Sequence, residues 1–415
     1  MKHVVIGNGP AGVVAAETLR KANPRGTIAL IGDEPEPPYS RMALPYLMMG
    51  EIDEAGTYLR KESGHYARLG IDLLHDRCES VDTAARSVRL ASGRSLAYDR
   101  LLIATGSHPI RPGFPGVGEP GVHTCWTMDD ARRIIARTQR GSRVLQIGAG
   151  FIGCIILEAL RSRGVQLTVV EMGDRMVPRM MTPAAGAMIR DWCEKQGVAV
   201  LCSTRVTGIR AAGERTLVAT LDSGDSIEVE TVIVSAGVRP NVDFLHGSGI
   251  ECESGITVDA AMRTNVADVY AAGDVAAAVD FSTGAHAVNA IQPNAVEQAR
   301  IAALNMTGRA VASRGSLVFN VLDTLGLVSS SFGQWMGVAG GQGTELVDRG
   351  ESRYLSLQFH GDVMVGATSI GLTEHVGVLR GLVEGRVKLG AWKDRLLAEP
   401  LRFPEAYLAR AQKAA

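Results

Sequence analysis

Two glycine-rich turns of the same type occur in this chain, and their residue types suggest nucleotide chemistry. The first spans residues 7–12 (GNGPAG) and the second spans residues 148–153 (GAGFIG). In such a turn the first glycine permits a tight bend, and the second lets the backbone approach a pyrophosphate. The third lets the following helix pack closely on the strand. Two such turns predict that the chain binds two dinucleotides, which suits electron transfer between them.

Acidic residues follow each turn at the distance expected for a ribose contact. Asp33 and Glu34 end the next apolar run after the first turn, and Glu171 ends the corresponding run after the second. A carboxylate at this place accepts hydrogen bonds from ribose hydroxyls. It also repels a 2′-phosphate, so Glu171 predicts a preference for NADH over NADPH.

The elements around the turns are predicted from apolar runs. Residues 3–6 and 143–147 are expected to be buried strands that lead into the turns, and 27–31 and 167–170 the strands that follow the helices. Each intervening helix presents free N–H groups and a partial positive charge to a phosphate at its start.

Composition excludes several classes of function. The 415 residues carry a net charge of −1, which implies no nucleic-acid partner and no anionic-membrane partner. No run of 18 apolar residues predicts a membrane span, and a strand beginning at residue 3 leaves no room for a signal peptide. The six cysteines form no CxxC pair and no HxxxH spacing occurs, so no metal site is expected and the thiols suit a cytoplasmic protein.

Three further motifs identify a family. They are residues 101–106 (LLIATG), 232–241 (VIVSAGVRPN) and 268–274 (DVYAAGD). With the two turns, and in this order, they resemble the pyridine nucleotide–disulfide oxidoreductase superfamily of flavoproteins. The resemblance implies an α/β fold with two Rossmann-like three-layer dinucleotide-binding domains and a small C-terminal α+β domain.

The resemblance also implies the cofactors, FAD for the first turn and NAD(H) for the second. Asp274 is expected to bond the flavin ribityl chain, and the helix start at 292–299 to face the flavin edge where negative charge develops. The residues implied for FAD are Gly7, Gly9, Pro10, Ala11, Gly12, Asp33, Glu34, Arg41, Tyr46, Cys78, Ala104, Thr105, Gly106, Gly273, Asp274, Pro293 and Asn294. Those implied for NAD(H) are Gly148, Gly150, Phe151, Ile152, Gly153, Glu171 and Gly237.

The family's domain plan gives boundaries for this chain. Residues 1–112 and 241–318 are expected to form a discontinuous FAD-binding domain, with an NAD(H)-binding domain at 113–240 between them. Residues 319–415 are expected to form the C-terminal α+β interface domain. Within it, residues 353–359 and 363–370 alternate like hairpin strands, and residues 374–382 are expected to be helical.

The segment near residue 42 distinguishes branches of the superfamily. Disulfide-, peroxide- and water-forming members carry a redox cysteine, in one branch within a Ser-Cys-Gly-Leu-Pro-Tyr string and in another within a Cys-x4-Cys pair. Residues 41–46 here read RMALPY, with Met42 at the cysteine position of the first string. A thioether forms neither a thiolate nor a disulfide. We therefore assign no catalytic residue, and the flavin is expected to be the redox centre.

The flanking residues resemble a different branch. Residues 32–41 (GDEPEPPYSR), and less specifically 320–326, 331–333 and 365–367, are similar to the rubredoxin reductase, ferredoxin reductase and nitrite reductase flavoproteins. This likeness implies hydride transfer between nicotinamide and FAD, and single-electron transfer to or from an iron–sulfur partner. That partner is rubredoxin, ferredoxin or an iron–sulfur subunit of a larger complex such as a 2-oxoacid oxidoreductase. A homodimer and a hetero-oligomeric complex both remain open.

The chain departs from the ferredoxin reductase pattern at three positions. Tyr46 replaces a lysine, Ile155 replaces a glutamate and Trp126 replaces an arginine that often contacts FAD. These changes leave open how the nicotinamide is held. Two alternative functions therefore stand beside the reductase: an NADH oxidase that uses oxygen or a quinone, and a flavin-bearing structural subunit of a redox complex.

Overall fold

The computed structural model describes residues 1–411 and divides the chain into two compact units. Unit 1 contains residues 1–47, 52–108 and 238–317. Unit 2 contains residues 48–51, residues 109–237 and the chain from residue 318 onward. The predicted plan of three domains is not tested by this division and stays a prediction, and residues 412–415 of its last domain lie outside the described residues.

Unit 1 is built on a five-stranded parallel sheet. Four of its strands are buried over most of their length, because apolar side chains cover both faces, whereas in the edge strand Ile71–His75 only Ile71 is buried. In spatial order the strands are Val269–Ala271, Arg100–Ile103, Lys2–Ile6, Thr27–Gly32 and Ile71–His75.

Short strands, some paired in parallel and others antiparallel, complete unit 1 together with helices. The strands are Cys78–Asp82, Ser87–Leu90 and Ser95–Ala97 in one sheet, Ile256–Thr257, Ala276–Val279 and His286–Ala287 in another, and Ser107–Pro109 with Val238–Pro240 as a pair. Its α-helices are Pro10–Ala22, His65–Arg68 and Gln292–Met306, and helix Leu44–Met49 runs from unit 1 into residues of unit 2. Short 3-10 turns lie at Arg41–Ala43, Ala55–Thr57 and Asp243–Leu245.

Unit 2 repeats the parallel arrangement. Its first sheet has the strand order Ala199–Leu201, Gln166–Val170, Arg143–Ile147, Thr231–Val234 and Val122–Thr124. An antiparallel sheet of Val206–Ala211, Leu217–Leu221 and Ser226–Val229 packs with it. The helices of this part are Met128–Arg137, Phe151–Ser162 and Pro183–Lys195.

The C-terminal part of unit 2 is an antiparallel sheet with helices. Its strand order is Phe319–Thr324, Leu327–Gly333, Val363–Ile370, Arg353–His360 and Gln342–Asp348. The predicted hairpin is present, with Gly361 at a φ of +56° in its turn. The helices Val376–Glu384, Trp392–Ala398 and Phe403–Ala411 follow, with a 3-10 turn at Pro400–Arg402.

The predicted fold class is confirmed. Both predicted parallel sheets form, and each glycine turn connects a central strand to its helix. Within residues 1–411, no helix is both long enough and apolar enough to cross a membrane.

Candidate functional site

The three glycines of the first turn differ in the space that surrounds them. Gly7 has a φ of +105°, and a Cβ placed on it would lie 2.1 Å from the carbonyl oxygen of Ala104. A Cβ on Gly12 would lie 1.7 Å from the carbonyl oxygen of Gly7. A Cβ on Gly9, in contrast, would meet no described atom within 4 Å. The outer glycines therefore permit close packing within the protein, whereas the middle glycine faces open space.

The second turn has the same design in unit 2. Gly148 has a φ of +100°, and its Cβ would lie 2.4 Å from the carbonyl oxygen of Ser235. A Cβ on Gly153 would lie 2.5 Å from the carbonyl oxygen of Gly148, and a Cβ on Gly150 would meet no described atom within 4 Å. The middle glycine is again the one whose missing side chain leaves room for a ligand.

Each turn opens a helix whose first N–H groups receive no capping side chain. Helix Pro10–Ala22 starts after Gly9 and helix Phe151–Ser162 starts after Gly150, and neither first turn contains an acidic residue. Such a helix start carries partial positive charge and donors suited to a phosphate.

The acidic residues after the two turns have different surroundings. In unit 1, Asp33 is exposed, whereas the Glu34 carboxylate accepts hydrogen bonds from the Tyr39 hydroxyl (2.6 Å) and from Arg41 Nη2 (2.5 Å). In unit 2, the Glu171 side chain is buried and accepts from two backbone N–H groups. These belong to Ala149 (2.7 Å) and Gly173 (2.8 Å).

Asp274 lies next to the first turn. Gly273, with a φ of +82°, lets the chain pass close to the starts of both long helices of unit 1. A Cβ there would lie 3.3 Å from the Ala11 Cβ and 3.5 Å from the Ala295 Cβ. Burial raises the pKa of Asp274, partly offset by a hydrogen bond from Ser107 Oγ (3.3 Å) and by the charge of Arg41. A largely desolvated carboxylate with some remaining exposure is suited to further hydroxyl donors.

The turn that follows strand Arg100–Ile103 is fixed by Asn241. The Thr105 hydroxyl donates to the Asn241 carbonyl oxygen (2.9 Å), and Asn241 Nδ2 donates to the Thr105 carbonyl oxygen (2.8 Å). The backbone N–H of Asn241 also donates to the Gly106 carbonyl oxygen (2.9 Å). Because Ala104 of this turn packs on Gly7, these bonds hold the wall of the first glycine turn.

The start of helix Gln292–Met306 lies in the same unit. Pro293 is exposed, and Asn294 is buried with its Nδ2 3.5 Å from the Leu317 carbonyl oxygen. One turn later, buried Gln298 accepts a hydrogen bond from the Gly273 N–H (2.8 Å) and donates to Ser316 Oγ (3.1 Å). The helix start is thereby tied to the strand that leads to Asp274.

The sulfur-bearing residues near the motifs are not arranged as reactive thiols. Met42 is 49% exposed. Burial raises the pKa of Cys78 to about 12, and its Sγ lies 3.7 Å from the Ser80 carbonyl oxygen. Cys154 is fully buried, and burial raises the pKa of its thiol further still. Raised thiol pKa values oppose thiolate chemistry.

The three residues that depart from the ferredoxin reductase pattern lie at different depths. Tyr46 is 51% exposed, and Ile155 and Trp126 are partly exposed. Phe151 and Ile152 at the second helix start are also partly exposed, and Gly237, with a φ of +104°, accepts a hydrogen bond from Ile110 N–H (2.9 Å). The nucleotide contacts expected of all the residues named from the sequence stay predictions. In residues 1–411, no group of three or more His, Cys, Asp or Glu side chains could hold a metal ion.

Sequence reasoning gave no individual role to four supporting residues, although two of them lie in the segments 232–241 and 292–299: Ser107, Gln146, Asn241 and Gln298. Their signal in the sequence is weak, because only a polar residue inside an apolar strand, such as Gln146 in residues 143–147, stands out. The partners of the other three lie between 18 and 167 positions away along the chain.

Comparison with known proteins shows which family this chain resembles. Residues 1–299 match the model of the pyridine nucleotide-disulphide oxidoreductase family. The chain is 29% identical over 406 residues to the NADH-dependent phenylglyoxylate dehydrogenase subunit epsilon of Aromatoleum evansii, covering 96% of this chain and 95% of that protein. It is 32% identical over 393 residues to the biphenyl dioxygenase system ferredoxin–NAD(+) reductase component of Paraburkholderia xenovorans (strain LB400), covering 93% and 94%.

A solved structure shows the same likeness. The ferredoxin reductase for the CYP199A2 system from Rhodopseudomonas palustris aligns with a TM-score of 0.82 and 29% sequence identity. The alignment covers 89% of this chain and 91% of that one.

Proposed function

Because this chain belongs to the pyridine nucleotide-disulphide oxidoreductase family, we propose that it is a FAD-dependent NADH:acceptor oxidoreductase that exchanges electrons with an iron–sulfur protein. One observation carries the proposal. Both glycine turns close tightly at their first and third glycines and stay open at the second, Gly9 in unit 1 and Gly150 in unit 2. Two such turns fit two dinucleotides, one for each unit.

FAD is assigned to unit 1. Three features support this assignment: the open space at Gly9, the uncapped start of helix Pro10–Ala22 and the partly buried carboxylate of Asp274. The turn provides backbone N–H donors for the pyrophosphate, and Asp274 provides an acceptor for the ribityl hydroxyls. Glu34 and Asp33 are the acidic residues proposed for the adenosine ribose.

NADH is assigned to the second turn, in unit 2. Glu171 is fixed by two backbone N–H groups, and its oxygens retain lone pairs that ribose hydroxyls can use. The next residue, Met172, is 70% exposed and carries no charge that would favour a 2′-phosphate. These features support a preference for NADH over NADPH.

Flavin accepts a hydride from a nicotinamide and can release the electrons one at a time, which links a two-electron donor to one-electron carriers. The residues of this chain bind and orient the two cofactors. Met42 stands where related disulfide reductases carry a redox cysteine, so the chain supplies no sulfur relay at that position. The electron acceptor that bound FAD would serve is therefore proposed to be a metal centre outside this chain.

The names of the relatives support an iron–sulfur partner. One is a ferredoxin–NAD(+) reductase component, and another is a subunit of an NADH-dependent dehydrogenase. We therefore propose either a free ferredoxin or rubredoxin, or an iron–sulfur subunit of a 2-oxoacid oxidoreductase complex. A cytoplasmic location and the oligomeric state stay predictions.

Anaerobic stopped-flow mixing tests the proposal. The purified protein should contain non-covalent FAD, and NADH should bleach its visible absorbance faster than NADPH does. Addition of an oxidised [2Fe–2S] ferredoxin or a rubredoxin should then restore the absorbance. Oxygen and a soluble quinone, each added alone to the reduced protein, serve as the comparison acceptors.

Three other outcomes of this experiment would contradict the proposal, and two of them would favour an alternative function. Faster restoration by oxygen or quinone than by either iron–sulfur protein would indicate an NADH oxidase. Bound FAD that NADH does not bleach would indicate a structural flavin subunit. Absence of FAD from the purified protein, together with failure to bind added FAD, would contradict the assignment of unit 1.

A further inference from the structure

Gln146 is a polar residue inside a buried strand. It lies in Arg143–Ile147, the central strand of the parallel sheet in unit 2, and its side chain has no exposed surface. Burial of an amide is unfavourable unless its polar atoms form hydrogen bonds. An apolar residue would suit the sheet better, so the presence of glutamine calls for a cause outside core packing.

The amide nitrogen of Gln146 joins the two ends of the second glycine turn. Its Nε2 donates to the carbonyl oxygen of Gly148 at 2.9 Å and to that of Gly153 at 3.0 Å. These are the first and third glycines of the turn. One NH₂ group therefore uses both of its protons to hold the turn in a single shape.

At the position equivalent to Gln146, the first turn has an apolar residue. Val5 is the residue two positions before Gly7, as Gln146 is two positions before Gly148, and Val5 is fully buried. A Cβ on Gly12 would lie 1.7 Å from the Gly7 oxygen, whereas a Cβ on Gly153 would lie 2.5 Å from the Gly148 oxygen. The third glycine thus packs more closely on the first in unit 1.

The amide accounts for this difference between the turns. Gln146 Nε2 lies 3.1 Å from the position of a Gly153 Cβ, beside the wider gap of the second turn. The first turn is held by direct backbone packing, and the second by two hydrogen bonds from a side chain. The contact between the first and third glycines of the second turn therefore involves a residue that lies outside the glycine motif.

The carbonyl side of the Gln146 amide supports the same interpretation. Its Oε1 is buried and accepts no hydrogen bond from residues 1–411. A half-satisfied buried amide is unfavourable for stability, so core packing alone gives no reason for it. Its two donated bonds fix carbonyl groups of the turn, while the N–H groups of Gly148 and Ala149 donate to Val170 and Glu171. The N–H groups at the start of the helix, which no side chain caps, are left to face a phosphate.

We infer that Gln146 is a positioning residue that shapes the second glycine turn for the pyrophosphate of NADH, an inference that rests on the proposed function of that turn. Gln146 itself touches neither nucleotide. It acts through Gly148 and Gly153, whose carbonyl groups it holds. Loss of its donor should weaken pyrophosphate binding without changing the flavin site.

The test compares Gln146→Met with the wild-type holoprotein. Methionine has a similar length and no N–H donor. We expect the dissociation constant of ADP-ribose, measured by calorimetry, and the KM for NADH both to rise about tenfold, a factor that matches the loss of one to two neutral hydrogen bonds. The kcat, the FAD content and the visible spectrum should not change. Gln146→Glu keeps the side-chain shape and should give a smaller loss, because a protonated carboxyl can still donate one bond.

Asn305→Leu is the matched control. Asn305 is also a buried amide whose nitrogen donates to two backbone carbonyl oxygens, those of Ile301 (2.9 Å) and Val311 (2.7 Å), at the far end of helix Gln292–Met306 in unit 1. Its replacement removes the same number of donated bonds, together with one bond that its Oδ1 accepts from the Val311 N–H (3.4 Å), and should leave the affinity for ADP-ribose unchanged. Thermal unfolding of both variants reports their effects on stability.

The outcomes separate this inference from the proposed function. An unchanged affinity for ADP-ribose in Gln146→Met, or an equal loss in Asn305→Leu, would overturn the positioning role while NADH still reduces the wild-type flavin. If Gln146→Met does not fold, Gln146→Glu gives the same comparison. A wild-type protein that binds neither ADP-ribose nor NADH would overturn the proposed function, and the inference with it.

Discussion

The carboxylate of Glu171 accepts a hydrogen bond from the backbone N–H of Ala149, at 2.7 Å, inside the second glycine turn. The residue that is proposed to bind the ribose therefore also holds the turn that is proposed to bind the pyrophosphate. Its other oxygen accepts from Gly173 N–H at 2.8 Å. One buried side chain thus connects both halves of the predicted nucleotide site.

Glu171→Ala should therefore affect both binding and stability. Two buried N–H groups lose their acceptor, which should lower the free energy of unfolding by about 1–3 kcal/mol. The KM for NADH should rise more than tenfold, and the preference for NADH over NADPH should shrink because the repulsion of a 2′-phosphate is removed. Steady-state kinetics with both nucleotides and urea unfolding measure these effects.

Glu194→Ala is a suitable control, because Glu194 is exposed on helix Pro183–Lys195 of the same unit. This substitution should leave the KM for NADH unchanged, and it should change the free energy of unfolding only by the usual small effect of a surface substitution. Equal losses of NADH and NADPH affinity in Glu171→Ala would contradict the ribose assignment.

Replacement by alanine should have different effects at the third and the middle glycine of a turn: the first change should reduce stability, and the second should reduce nucleotide binding. Gly12→Ala places a Cβ 1.7 Å from the Gly7 oxygen and should destabilise unit 1 by about 3 kcal/mol or more. Gly9 has a φ of −71° and open space around it, so Gly9→Ala should fold about as well as the wild type. It should nevertheless bind FAD poorly, because the new methyl group occupies the space proposed for the pyrophosphate.

The second turn provides the internal check. Gly150, with a φ of −74°, is the equivalent of Gly9, so Gly150→Ala should retain FAD and lose affinity for NADH. Flavin fluorescence and calorimetric titration with ADP-ribose distinguish the two losses. Normal FAD binding by Gly9→Ala would place the pyrophosphate elsewhere.

Local sequence signals were sufficient to predict the turns and their strands. A tight turn between an apolar strand and a helix depends on residues that are neighbours in the chain, and the predicted strand 143–147 agrees with the observed one. The hairpin around Gly361 was predicted for the same reason, since alternation and the turn glycine lie within about twenty residues.

The supporting contacts could not be predicted in this way. Asn241 reaches Thr105, 136 positions earlier, because strand Val238–Pro240, which ends just before Asn241, pairs with strand Ser107–Pro109. From the sequence, Asp33 and Glu34 are equally suited to the ribose contact. In the structure the Glu34 carboxylate is held by Tyr39 and Arg41, whereas Asp33 is exposed. Such differences depend on packing between distant segments.

Met42 provides a test of the proposed electron path. Its side chain is 49% exposed, so Met42→Ser should change the free energy of unfolding by no more than about 0.5 kcal/mol. The rate of flavin reduction by NADH should stay within about twofold of the wild type, because a thioether takes no part in the transfer. A tenfold lower rate of flavin reduction in stopped-flow experiments would show that Met42 has a role in the reaction, even though it cannot replace a redox cysteine.

His3 predicts a specific dependence of stability on pH. It is buried in the first strand of unit 1, and its pKa is lowered from 6.5 to about 4, mainly by burial, with further contributions from the N-terminal amine and Arg100. Asp99 acts in the opposite direction. Since the folded-state pKa lies below the unfolded one, the unfolded chain binds the proton first. The contribution of His3 to the free energy of unfolding is therefore fully present at neutral pH. It is lost as the pH falls from 6.5 towards 4, and the loss is at most about 3 kcal/mol.

His3→Gln removes this titrating group and should flatten the dependence over that range. Urea unfolding of the apoprotein at several pH values between 7 and about 4 measures the difference from the wild type, which isolates His3 from the carboxylates that also titrate there. His246→Gln, at an exposed histidine of the same unit, should retain the wild-type slope. Parallel pH profiles for the wild type and His3→Gln would contradict the lowered pKa.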